Sequence, residues 1–85
     1  MSHQIDWAKQ ALNTLSRLDP PTRTRIISAV DDLATTGRGD IRRLEGSPQD
    51  AYRLRVGGWR VIFAYLDDTT IFILRVGSRG DIYKR

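Results

Sequence analysis

The chain has 85 residues, enough for one domain and one core, expected over residues 1–85. Its 40% apolar and 28% charged residues are ordinary for a folded chain and exclude a collagen-like or broadly disordered one. There is no cysteine and a single histidine, His3, so disulfides, thiolate chemistry, cysteine-based zinc sites and a two-histidine metal site are all excluded. No apolar run approaches the ~18 residues of a membrane span, and no signal-peptide pattern opens the sequence, so the expected compartment is the cytoplasm, with no membrane partner. Fourteen basic residues face ten acidic ones, and twelve of the fourteen are Arg. The excess of +4 lies wholly in residues 37–85. Guanidinium forks match phosphate oxygens, so clustered Arg with a pI near 10.1 points to a nucleic-acid partner.

In chain order, His3 to Trp7 reads as a short strand. Ala8, Ala11, Leu12, Leu15 and Leu18 recur at helical spacing, which predicts an amphipathic helix starting at Asp6 or Trp7. Asp19-Pro20-Pro21 ends it and starts the next, because Asp is a good N-cap and Pro suits a first turn. Ile26, Ile27, Val30, Leu33 and Ala34 form the second apolar stripe, and Gly37 stops it. Asp31 and Asp32 belong on its outer side. Residues 37–51 read as loop, Arg42 and Arg43 included.

The period then changes from helical to alternating. Tyr52–Val56, Gly57-Gly58 and Trp59–Leu66 form a hairpin with an expected type I′ turn. Asp67–Thr70 makes a second turn, and Ile71–Val76 is a third strand. Asp81–Arg85 is read as a short last strand or a tail. The expected fold is α+β: a helical hairpin packed on one face of a mostly antiparallel β-sheet, in the order β-α-α-β-β-β.

A Gly-Gly turn places Val56 opposite Trp59, Arg55 opposite Arg60, Leu54 opposite Val61 and Arg53 opposite Ile62. A second turn centred on Asp68 and Thr69 pairs Leu66 with Ile71 and Ile62 with Arg75. Alternation then puts Tyr52, Leu54, Val56, Trp59, Val61, Phe63, Tyr65, Phe72, Leu74 and Val76 on the core face. The other face carries Arg53, Arg55, Arg60 and Arg75, and beside them an apolar strip of Ile62, Ala64, Leu66, Ile71 and Ile73. Like charges opposed across a strand pair repel, and a bridging anion relieves that repulsion. The Arg cluster therefore reads as a polyanion site and the strip as a protein-docking surface. Trp7 and Trp59 read as packing anchors.

The run Tyr52-Arg53-Leu54-Arg55-Val56-Gly57-Gly58-Trp59-Arg60-Val61-Ile62-Phe63 resembles the central hairpin of the RelE/ParE toxins. Leu74-Arg75-Val76-Gly77-Ser78-Arg79-Gly80-Asp81-Ile82-Tyr83 resembles their C-terminal motif. Ile5-Asp6-Trp7 with Ala11 and Leu15, and Leu44-Glu45-Gly46, also fit. The resemblance, closest to the RelE-like branch, implies the toxin of a type II toxin–antitoxin pair: an endoribonuclease that cuts mRNA in the ribosomal A site without a metal or cofactor. ParE-like members share the fold and poison DNA gyrase instead. Carried over by position, Arg60, Arg79, Tyr83 and Arg55 are the catalytic candidates. Arg53, Arg55, Arg60 and Arg75 are the RNA-binding ones, and Tyr83 is either the general base or a base-stacking platform. Both positions of the basic pair, often Lys in the family's nucleases, are Arg here, and Ser78 stands where many relatives have His or Lys. The implied partners are the ribosome with its mRNA and a cognate antitoxin on Ile62, Ala64, Leu66, Ile71 and Ile73. The toxin–antitoxin complex is expected to bind operator DNA.

Overall fold

A computed structural model describes residues 3–44 and 51–78. Its elements are β1 (Gln4–Trp7), α1 (Lys9–Arg17), α2 (Pro20–Thr36), β2 (Asp40–Arg43), β3 (Ala51–Val56), β4 (Trp59–Tyr65) and β5 (Thr70–Ser78). The strands form one five-stranded sheet in the order β1-β5-β4-β3-β2, antiparallel except for the β1–β5 pair. β1 and β2 are opposite edges, so the two helices between them in sequence must cross the sheet, and they cover one face of it.

Trp7 stays in β1 rather than opening the helix. It pairs with Ile73, and the Ala8 N–H donates to the Ile73 carbonyl at 2.8 Å. Asp19 caps α2 as its residue type suggests, its carboxylate accepting from the Thr22 N–H at 3.4 Å. Hydrogen bonding from Thr22, chiefly from its side chain and then from this N–H, holds the Asp19 carboxyl below its ordinary pKa of 3.8. At the far end Gly37 closes the helix, its N–H donating to the Leu33 carbonyl. Ala11, Leu15, Ile26, Val30, Leu33 and Ala34 from the helices meet Leu54, Val61, Phe63, Ile71, Ile73 and Val76 from the sheet. Trp7 and Trp59 pack at the margin of this core, and Asp31 and Asp32 are exposed, as expected.

Three further expectations need correction. First, the 37–51 stretch is not all loop: Asp40–Arg43 pairs antiparallel with β3, Ile41 opposite Leu54. Gly39 allows the approach, because a Cβ there would lie 2.6 Å from Leu54 Cδ1. Second, only Gly57 of the hairpin pair has positive φ, 61°, which is the pattern of a type II′ turn and not I′.

Third, the β4–β5 register is split. Asp67 accepts hydrogen bonds from the Thr69 N–H (2.8 Å) and Thr69 Oγ1 (2.9 Å), tightening the turn. The Leu66 N–H then donates to the Thr70 carbonyl, and Tyr65, not Leu66, lies opposite Ile71. A bulge between Ile62 and Phe63 absorbs one residue of β5, Leu74, so Ile62 still meets Arg75 as the sequence suggested. Side chains between the turn and the bulge therefore exchange faces. Ile71 and Ile73 are fully buried under the helices, and Phe72 is on the other face, opposite Ala64. The glycine-pair hairpin itself has the expected register throughout. The expected last strand, Asp81–Arg85, lies outside the described residues.

Candidate functional site

The face without helices is built by pairing. One row across the sheet runs Asp40, Arg55, Arg60, Gly77, and the next runs Arg42, Arg53, Ile62, Arg75. Neighbouring strands are ~4.8 Å apart and same-face residues on one strand ~6.8 Å apart, so five guanidinium groups project from a patch roughly 14 by 7 Å. Within that patch the one described carboxylate is Asp40. Arg53, Arg55, Arg60 and Arg75 are thus placed together as the alternation implied. Arg42 and Asp40 were missed because β2 was missed. The Asp40-Ile41-Arg42 alternation after Gly39 was the signal that could have found them. Arg43 lies opposite Tyr52 and so belongs to the helix side of β2.

Each Arg is held differently. Arg60 is only 7% exposed, and its Nη1 donates to the Trp59 carbonyl at 3.2 Å. Among the described residues no carboxylate lies within 4.0 Å of Arg60, Arg55 or Arg75. Arg53 donates through Nη2 to Asp40 Oδ1 at 3.2 Å, while its buried Nε has no partner among the described residues. Arg55 and Arg75 are exposed. Arg55 faces Arg60 directly. Two such charges ~5 Å apart repel by about 1 kcal/mol in water and by more where Arg60 is buried.

Farther along the same face come Ala51, Ala64 and Phe72, then Leu66. Of the strip read as a docking surface, Ile71 and Ile73 are removed by the register change and lie in the helix-side core. Ile62 and Ala64 are on the expected face but already buried, and only Leu66, 58% exposed, is open to solvent. Arg79 and Tyr83 lie outside the described residues, as do Glu45 and Gly46 of the linker. No Lys, His or Tyr stands on this face among the described residues. Its described chemistry is therefore charge neutralisation by guanidinium groups, which stay protonated, and not proton transfer. Tyr52 and Tyr65 lie on the other side of the sheet with Phe63, ring centroids 5.5–5.6 Å apart, and burial pushes the Tyr65 phenol above its ordinary pKa.

The chain as a whole has known relatives. The family model of the ParE toxin of type II toxin–antitoxin systems, parDE, matches residues 5–83. The chain belongs to this toxin family. RelE1 of Methanocaldococcus jannaschii is 32% identical over 89 residues, covering 99% of this chain and 98% of its own. The toxin also superposes on the crystal structure of the archaeal RelE–RelB complex from Pyrococcus horikoshii with a TM-score of 0.77 and 30% identity, over 95% of this chain and 99% of that one. It shares its fold with the RelBE2 toxin–antitoxin complex of Mycobacterium tuberculosis, TM-score 0.80 at 24% identity, over 95% of each chain. The protein is a RelE-like toxin of a type II toxin–antitoxin system. Among the described residues no helix is long and apolar enough to cross a membrane.

Proposed function

We propose that this toxin is a ribosome-dependent endoribonuclease that cuts mRNA by attack of the 2′-hydroxyl, without a metal, and so stops translation. The observation that carries the reading is Arg60: a buried guanidinium on the helix-free face, flanked by Arg55, with no described carboxylate to neutralise it. Such a group is costly to bury unless an anion completes it, and a phosphodiester has the right charge and shape.

The reaction needs three things. A base removes the 2′-hydroxyl proton, cations stabilise the dianionic phosphorane as the 2′-oxygen bonds to phosphorus, and the P–O5′ bond breaks as the 5′-oxygen gains a proton. Arg60 and Arg79 are assigned to the scissile phosphate. Arg53 and Arg55 carry phosphate charge and substrate position, with Arg75 extending the track. Arg55 assists the leaving oxygen by hydrogen bonding. Tyr83 is the base or the base-stacking platform. A face of Arg without a described proton-transfer group makes a slow nuclease in free solution. Dependence on the ribosome supplies orientation and proximity. Because the P. horikoshii relative was solved as a RelE–RelB complex, a cognate antitoxin is the proposed partner. Its acidic segments would cover the Arg face, and the complex would engage operator DNA.

The family-model match to ParE favours a second reading, a gyrase inhibitor without nuclease activity. Primer extension on mRNA translated in the presence of the purified toxin decides. Codon-phased cuts establish the nuclease. Uncut mRNA with inhibited supercoiling in a gyrase assay establishes the second reading and overturns the first.

A further inference from the structure

The basic face contains one element that works against its charge. Asp40 stands directly opposite Arg55, two residues before Arg42 on the same face of β2, and its Oδ1 accepts from Arg53 Nη2 at 3.2 Å. The contact uses a single oxygen and a single donor, and the Asp40 side chain is 54% exposed while that of Arg53 is 15% exposed. The fork of Arg53 is therefore fixed and mostly buried, and the carboxylate that holds it is solvated and free to turn away. A carboxylate and a phosphate oxygen present the same acceptor chemistry to a guanidinium.

We propose that Asp40 is an internal occupant of the phosphate site: it holds Arg53 while the face is empty and yields it to a phosphodiester of single-stranded RNA. This rests on the RNA reading of the face and adds to it a residue that sets how strongly RNA is bound. Two consequences follow from charge. In the free toxin the bond offsets part of the repulsion among Arg42, Arg53 and Arg55. On binding, Arg53 neutralises a phosphate and frees a cation condensed on the RNA, but the displaced Asp40 carboxylate stays at the site and its charge offsets part of that neutralisation. Removing it adds at most one net positive charge, worth up to about 0.7 in the slope of log K against log salt for a single strand.

The test is fluorescence anisotropy of a single-stranded RNA oligonucleotide over a salt series, with wild type and Asp40→Asn. The variant is expected to bind roughly three- to tenfold more tightly at low salt. Its salt slope should be steeper by up to about 0.7. In an Arg53→Gln background the Asp40 substitution should change neither quantity. Asp31→Asn removes the same charge from the exposed side of α2, across the sheet from the Arg face, and should leave the slope unchanged. Thermal melts of each variant establish that it is folded, and Asp40→Ser serves if Asp40→Asn is not. Equal affinity and slope overturn the proposal. So does weaker binding by the variant, which would make Asp40 a residue that orients Arg53 for RNA, and so does failure of every protein to bind. Codon-phased cutting with an unchanged slope sinks this inference alone. A steeper slope without cutting sinks the nuclease reading alone.

Discussion

Gly57 and Gly58 are adjacent in one turn, yet only the first is irreplaceable on steric grounds. Gly57 has φ 61°, and a Cβ there would also meet the Arg25 guanidinium at 3.0 Å, whereas a Cβ at Gly58 would meet nothing within 4 Å. Gly57→Ala should cost about 1–2 kcal/mol. Gly58→Ala should stay within about 0.5 kcal/mol of wild type. A pair of thermal melts checks this, and equal losses would restore the type I′ turn that the Gly-Gly pair suggests. Asp67 is the second residue with a defined local task. Its hydrogen bonds to Thr69 hold its pKa below the ordinary 3.8. A depressed carboxyl stabilises the folded form above its unfolded pKa, and that contribution disappears as pH falls through the lower folded value. Asp67→Ala should therefore flatten the acid limb of a stability-against-pH curve below about pH 4 relative to wild type. An unchanged limb would remove the turn from the acid response. The polarity of Asp67 and Thr69 marks a turn in the sequence. The number of residues in that turn depends on hydrogen bonds that only the folded geometry displays.

At the scale of elements, that turn and the bulge at Leu74 decide which side chains of β5 reach the core. Ile73 is fully buried against the helices and Phe72 is half-buried on the other face. Ile73→Ala should cost about 2–4 kcal/mol and Phe72→Ala half of that or less. Chemical denaturation of the two variants discriminates the registers, because a straight β4–β5 ladder buries Phe72 and reverses the order. The helices, the β3–β4 hairpin and the Arg face were legible because each rests on repetition: a 3.6-residue apolar stripe, a two-residue alternation, a glycine pair that pins register. β2 was not, since four residues with one apolar side chain between charges carry no period of their own, and pairing with β3 supplies what propensity does not. The bulge left no trace either. Thr70–Ser78 contains apolar residues at both parities, so alternation fits either register, and packing of Ile71 and Ile73 under the helices selects one. Ile71 and Ile73, two of the five residues of the expected docking strip, were lost to that one-residue shift, while Arg75, beyond the bulge, kept its place.

Over the whole molecule, the arrangement sets stability against activity. The helices and their core occupy one side of the sheet, and the cationic excess is gathered on the other, where Arg60 is buried among like charges instead of being spread over solvent. Taking a guanidinium out of water costs several kcal/mol unless it is well paired, and apolar residues of similar volume are often more stable in such places. A fold under selection for stability alone would not retain Arg at this position, whereas one that must grip phosphate would. Arg60→Met should therefore raise stability by about 1–3 kcal/mol. In a domain of this size the midpoint should rise by about 4–8 °C for each kcal/mol. The same substitution should abolish growth inhibition on induction. Arg55→Met, at an exposed position in the same row, should weaken inhibition without that gain in stability, because its guanidinium is already hydrated. Melts and induction assays on both variants read the two effects separately. A less stable Arg60→Met protein would make Arg60 a structural keystone of the sheet, and a stabilised variant that still arrests growth would remove it from the phosphate site.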